Sequence, residues 1–385
     1  MNQKNNFALV RKPSSAVEKA ASGAKRILSG MVADALALTK FRLGGYEWCE
    51  PDYRQIIVWA KATNLKPEDF IAALFNKQVN LTDADGKQMR LLPFFDEPLV
   101  ANGRLLKVNW DCKQLQCGSI EWVEGLKITD IRFLSGRPRN ESCLEDLGTL
   151  PLPHLVWLSC RWQKLTSLNL GRVPELQGLH CECNEIEELD LRAVPRLIDL
   201  YCESNNIETL DLRAVPDLTA LDCSDNKIES LDLTHTRKLA GLLCSGNSIT
   251  TLNLSGLTGL EGVMCDNNSL EELKLSNLPT LDSLDCSYND LEKLDLPEMP
   301  HLDDLNCSAN RIWRLDLSRC TNLRLLNCAK NQLKELDVSG CSNLKELDCS
   351  DNAISVLDIR ALENLQSLTY NEKHTRLLQQ PDQDF

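Results

Sequence analysis

The sequence predicts a mostly β solenoid of parallel strands, with short extended arms on its convex side and a small α-helical domain at its N-terminus. Three observations carry this. Ten of the seventeen cysteines, at 160, 181, 202, 223, 244, 265, 286, 307, 328 and 349, recur at a strict interval of 21 residues. Around each, apolar residues alternate with period two, as in a strand with one buried face. Residues 1–98 share neither feature and carry helical signals instead.

One unit reads Leu176-x-x-Leu179-x-Cys181-x-x-Asn184-x-Ile186-x-x-Leu189-Asp190-Leu191. The pattern persists to Leu344, Leu347, Cys349, Asn352, Ile354, Leu357, Asp358 and Ile359. A further unit, Leu365-Leu368-Tyr370, has lost Cys and Asn and reads as a terminal cap. The array resembles the leucine-rich repeat family, whose unit is LxxLxLxxNxL, with Cys in place of the third Leu. The short unit is similar to bacterial members such as the internalin class. The resemblance implies ligand docking on the concave sheet.

The physical reading stands beside the resemblance. A short strand cannot bury its apolar side alone, so the units must stack in parallel around one continuous core. Asn recurs in nine of the ten units, with Gln163 in the first, and an amide at a chain reversal satisfies backbone groups that a tight turn leaves unpaired. The Leu-Asp-Leu arm alternates and is too short for a helix, so it reads as extended. Its Asp at 190, 211, 232, 295, 316, 337 and 358 reads as solvent-facing turn chemistry. The recurring cysteines read as small buried thiols packing as hydrophobes; disulfides between adjacent rungs are not excluded by distance, but no secretory signal points to the oxidising compartment they need. They lack the close pairs and His partners of zinc sites, so neither a metal nor any cofactor is expected.

The regular array, residues 153–370, is preceded by two irregular units within 99–152. These are Leu105-x-x-Val108-x-Trp110, running on to Leu115, and Ile128-x-x-Ile131-x-Phe133. Bulky Trp110, Trp122 and Phe133 suit closure of the open end of the core. Cys112-x4-Cys117 has no second pair, which argues against zinc. Residues 371–385 form a polar tail.

In the first 98 residues, Ser15-x-x-Glu18 is a capping box. Behind it Val17, Ala21, Ala24, Leu28, Met31, Ala35 and Leu38 are spaced 4-3-4-3-4-3, the stripe of an amphipathic helix. That stripe fits a helix packed on its own domain, a docking or dimerising helix, or, third, a basic membrane-surface helix. Further helices are predicted from Pro51 to about Thr63 and from Pro67 to about Asn76, each with proline in its first turn. Asp83-Ala-Asp-Gly86 lacks the other ligand positions of a calcium loop and reads as a surface turn.

Charge and motifs narrow the function. Net charge is −14, divided into +3 over residues 1–152 and −17 over 153–385. Residues 1–42 alone carry +6. An acidic array repels phosphate backbones, so nucleic acid is not expected there. No run of 18 apolar residues exists to span a membrane, and Phe7-Ala-Leu-Val10 is too short for a secretory core. A cytoplasmic protein is expected, or one exported by a dedicated secretion system. No phosphate loop, HExxH or GxSxG appears, so a non-enzyme is expected.

On the concave face, the strand residues flanking the buried Leu should point outward. Leu243 and Met264 beside Gly241 and Gly262, with Tyr201 two rungs earlier, are apolar anchors. Asp199, Glu203, Asp222, Asp266, Asp285 and Asp304 ring them. The pattern predicts a hot spot for a protein partner with a basic or amphipathic segment, the chain serving as adaptor or regulatory subunit. The alternatives are a solvated acidic surface, a secreted effector mimicking host repeat proteins, the basic arm lying on the acidic face, and an unfamiliar N-terminal enzyme that the repeats serve.

Overall fold

The computed structural model describes residues 40–43, 45–74, 81–82, 88–89, 100–101, 104–111, 121–134, 147–381 and 383. The stripe from Val17 to Leu38, the Asp83–Gly86 turn, Cys112 and Cys117 lie outside them. The chain divides into two compact units, Met1–Leu197 and Ile198–Phe385.

The first unit opens with an antiparallel pair, β1 (Lys40–Leu43) and β2 (Tyr46–Cys49), in register Phe41↔Trp48. Helix α1 (Glu50–Ala62) follows, with proline in its first turn, Glu50 and Asp52 at its positive end and Lys61 at its negative end. It stops where Asn64 turns left-handed at φ 54°, and Leu65 N–H closes back on the Ala60 carbonyl at 2.9 Å. Helix α2 (Pro67–Leu74) buries Phe70, Ile71 and Leu74. Both helices start where proline predicts.

Parallel strands come next: β3 (Lys107–Asp111), β4 (Asp130–Leu134), β5 (Trp157–Ser159) and β6 (Gly178–His180). Their register sets Val108, Ile131, Leu158 and Leu179 in one line, and Trp110 against Phe133. The irregular units are therefore true rungs of the array. The helices close its first rung. Trp59 of α1 meets Trp110 edge-on at 5.3 Å and Trp122 at 5.6 Å, and Phe70 of α2 lies 5.6 Å from Trp110. Two buried polar side chains fix the helix there. Asp52 accepts the Leu105 N–H at 3.0 Å and pairs with Arg104 Nε at 2.8 Å. Gln55 donates to the Glu121 carbonyl at 2.7 Å and accepts from Val123 N–H at 2.6 Å.

The second unit holds β7 (Asp199–Tyr201), β8 (Ala220–Asp222), β9 (Gly241–Leu243), β10 (Gly262–Met264), β11 (Ser283–Asp285), β12 (Asp304–Asn306), β13 (Leu325–Asn327), β14 (Glu346–Asp348) and β15 (Ser367–Thr369). Each pairs in parallel with the next. Middle residues from Leu200 to Leu347 point into the core. The opposite arm is extended as predicted. Thr251–Asn253 pairs with Glu272–Lys274 and Leu294 bridges Leu315; Val356–Asp358 pairs with Arg376–Leu378, so the segment expected to be a polar tail instead adds a strand to the arm.

One rung shows why the repeat holds. Val215, Leu218, Leu221, Cys223, Ile228, Leu231 and Leu233 are all buried. Each large one contributes about 1.5–3 kcal/mol, but only when neighbouring rungs cover it. The cysteines from Cys202 to Cys328 are fully enclosed, as expected of packing thiols. The outer aspartates are turn residues as read: Asp211, Asp316 and Asp358 each accept the backbone N–H two residues on, at 3.0–3.1 Å. Asp295 is followed two residues later by Pro297, which has no N–H to give.

Candidate protein-docking face

The outward rows of the second unit follow from the register. One row runs Asp199, Ala220, Gly241, Gly262, Ser283, Asp304, Leu325, Glu346. The other runs Tyr201, Asp222, Leu243, Met264, Asp285, Asn306, Asn327, Asp348. The alternation that buries the middle Leu leaves both rows on the same side of the sheet.

Met264 is 49% exposed, beside half-buried Leu243. Tyr201, Asp199, Glu203, Asp266, Asp285 and Asp304 are also half-buried, so the face carries apolar groups among carboxylates. Asp222 corrects the reading: only 7% of it is exposed, because Tyr201 and Leu243 flank it in register. It accepts the Ser224 N–H at 3.0 Å.

Several carboxylates are held by their own turn or by a neighbouring rung. Asp285 accepts the Ser287 hydroxyl at 2.6 Å and the Asn306 amide at 2.9 Å. Asp266 accepts the Ser245 hydroxyl, and Asp199 that of Thr219 at 3.4 Å. Burial pushes the Asp304 carboxyl above its ordinary range, and the crowding of Asp285, Asp303 and Glu346 adds to it. A cation arriving there relieves like-charge repulsion. Beside the first row, Glu261, Asp282 and Asp303 line an open groove, with Arg324 Nη1 3.0 Å from Asp303.

Two exposed aromatics, Tyr288 at 54% and Trp313 at 49%, stand outside the residues that the sequence pattern singles out. Tyr288 sits two residues after Cys286 on a left-handed turn, and Trp313 on the outer arm, 5.9 Å beneath Lys293 Nζ. Neither position is constrained by the core, so no periodic signal marks them. In the first unit, His180 lies 4.8 Å from the Trp157 ring, with Nδ1 3.2 Å from Glu182 Oε1. Among the described residues there is no cluster of three or more His, Cys, Asp or Glu able to hold a metal ion, and no helix long and apolar enough to cross a membrane.

A family model for leucine-rich repeats, in two copies, matches residues 321–364. No curated protein matches the chain significantly. Among solved structures it is similar to the functional domain of InlJ from Listeria monocytogenes, described as including a cysteine ladder, at 27% identity and a TM-score of 0.55. That likeness covers 71% of this chain and 64% of the other, under two thirds of its length. A leucine-rich repeat protein from Leptospira interrogans is 22% identical over 73% of this chain and 76% of its own, with a TM-score of 0.59. YopM, a leucine-rich effector protein from Yersinia pestis, is 24% identical over 70% and 76%, with a TM-score of 0.56. The latter two show the fold alone.

Proposed function

We propose that this repeat solenoid, which is similar to leucine-rich repeat proteins, is a non-enzymatic adaptor or regulatory subunit that grips a basic or amphipathic segment of a protein partner. The fold is one typical of protein–protein interaction. The finer reading rests on one observation: exposed Met264 and its neighbour Leu243 stand on the sheet of the second unit among Asp199, Glu203, Asp266, Asp285 and Asp304. Apolar anchors supply contact area once water is excluded, and surrounding carboxylates select a cationic partner and speed its encounter. The helices that close the first rung would present a second surface, through which the chain couples that partner to another component.

The test is a pull-down from the source cells with the full chain, wild type against Leu243→Arg/Met264→Arg, with recovered proteins identified by mass. The double substitution places two cations on the anchors and leaves the buried Leu242 and Val263 untouched. Selective loss of one basic partner from the variant, with that partner's isolated segment binding wild type, is expected. Equal recovery of every partner rejects this face as the site.

A further inference from the structure

The outward row of the second unit is interrupted where its two anchors stand. Across four consecutive rungs its residues are Ala220, Gly241, Gly262 and Ser283, held in register. A Cβ built on Gly241 or Gly262 meets no atom within 4 Å, so the space above both strands is open. Leu243 and Met264 form one wall of this trough, and on its other side exposed Glu261 lines the open groove. Asp199 and Asp304 stand at its ends, each the next residue along the row. Apolar wall, open floor and anionic ends make a receptacle with a definite charge pattern.

We propose that the trough receives one large apolar side chain, aromatic above all, from an extended partner segment that carries Lys or Arg two residues to either side. This deepens the docking-face reading and rests on it. Rungs are spaced about 4.8 Å, so each terminal aspartate stands about 12 Å from the trough centre. In an extended chain, residues two apart face the same way at about 6.8 Å. The flexible stem of Lys or Arg covers the remaining about 5 Å. Basic-x-apolar-x-basic is thus the pattern whose charges meet both carboxylates while the central side chain fills the space over the glycines. A helix, about 10 Å across with its side chains, would not lie down in a trough one residue wide.

The full chain is titrated against three fluorescein-labelled synthetic peptides by fluorescence anisotropy. They are Ser-Arg-Ser-Trp-Ser-Arg-Ser, the same with serine for tryptophan, and the same with glutamate for both arginines. The first is expected to bind, and each of the others at least about tenfold more weakly. Gly241→Leu/Gly262→Leu fills the trough, and neither glycine has a positive φ. That variant is expected to keep its melting temperature and lose about tenfold or more in affinity. Binding within about twofold of wild type, three peptides binding alike, or no binding of the first overturns the inference. If the leucine variant melts early, Asp199→Asn/Asp304→Asn decides: lost discrimination between arginine and glutamate peptides supports it, and retained discrimination overturns it. The two readings fail separately. If Leu243→Arg/Met264→Arg abolishes partner recovery while the glycine variant binds as wild type, the face stands and the trough falls. If neither variant loses the partner, the face reading falls as well.

Discussion

The side-chain amide of Asn226 donates to the main-chain carbonyl of Cys202, one rung earlier, at 3.0 Å. The same nitrogen donates to the carbonyls of Cys223 and Ser224 on its own rung, at 3.1 and 3.0 Å. Its oxygen accepts the Ile207 N–H at 3.0 Å. One side chain therefore shapes its own turn and ties it to the turn before. The arrangement recurs at Asn289, Asn310, Asn331 and Asn352. It complements the thiols: Cys gives the dry interior a small side chain, and Asn supplies the polar partners that the adjacent turn, bending out of the sheet, would otherwise lack.

Asn289→Ala tests how much the ladder contributes. Asn289 is buried, donates to the carbonyls of Cys265, Cys286 and Ser287 at 3.0–3.1 Å and accepts the Leu270 N–H at 2.9 Å. Removing the amide leaves these groups unmatched in a dry turn, at about 1–3 kcal/mol for each group left fully desolvated. The variant is expected to lose about 3 kcal/mol in urea unfolding. Asn289→Asp is expected to be no better, because a carboxylate cannot donate to three carbonyls. A loss under about 0.5 kcal/mol for both would show that the turns hold without the ladder.

The thiols predict alkaline weakening of the fold. Cys223, Cys244, Cys265, Cys286, Cys307 and Cys328 are unbridged and buried. Burial pushes Cys244 and Cys307 up to about 12, from an ordinary value of 9.0. With the folded-state pKa raised, their contribution is fully present below pH 9. As pH climbs from about 9 towards about 12, the unfolded chain releases thiol protons that the folded chain retains. Stability then falls by about 1.4 kcal/mol per pH unit for each such thiol. Cys307→Val keeps a small apolar side chain and removes one titrating group. The difference between wild type and variant in urea midpoint at pH 8, 9 and 10 is therefore expected to shift in the variant's favour as pH rises. Parallel curves would mean that Cys307 ionises in the fold as it does in water.

The contrast between Cys223 and its neighbour Asp222 shows what the sequence could reveal. Every rung must enclose the Cys position, so the chemistry repeats and its period is visible. The Asn turns, the extended arm and the Asp residues of the outer turns are legible for the same reason. Outward positions obey no such constraint, and their exposure depends on the neighbouring rungs. Asp222 is enclosed because Tyr201 and Leu243 stand on either side of it, a fact of register rather than composition. The packing of Trp59 and Phe70 onto Trp110 was equally hidden, since it joins residues about 40 to 50 positions apart with no repeat to announce the contact.

Tyr288 and its counterparts carry the last prediction. In the second unit the residue two after the Cys is left-handed in Ser204, Asp225, Asn267, Tyr288, Ala309, Lys330 and Asp351, with φ between 51° and 54° except at Lys330, where it is 56°. The turn gains by this a rung-to-rung hydrogen bond, such as Ala309 N–H to the Ala329 carbonyl at 2.9 Å and Lys330 N–H to that of Ser350 at 2.9 Å. Only one unit, at Gly246, meets the requirement with glycine, at φ 65°. A non-glycine residue in this conformation costs about 1–2 kcal/mol, and glycine's greater freedom when unfolded returns about 0.5–1 kcal/mol of any gain. Lys330 is exposed, so Lys330→Gly is expected to stabilise the second unit by about 0.5–1 kcal/mol. Lys330→Ile adds a branched Cβ to the same strained backbone and is expected to cost about 1–2 kcal/mol, the two changes moving the urea midpoint in opposite directions. Were both substitutions to destabilise equally, the lysine side chain rather than the backbone angle would be what this turn depends on.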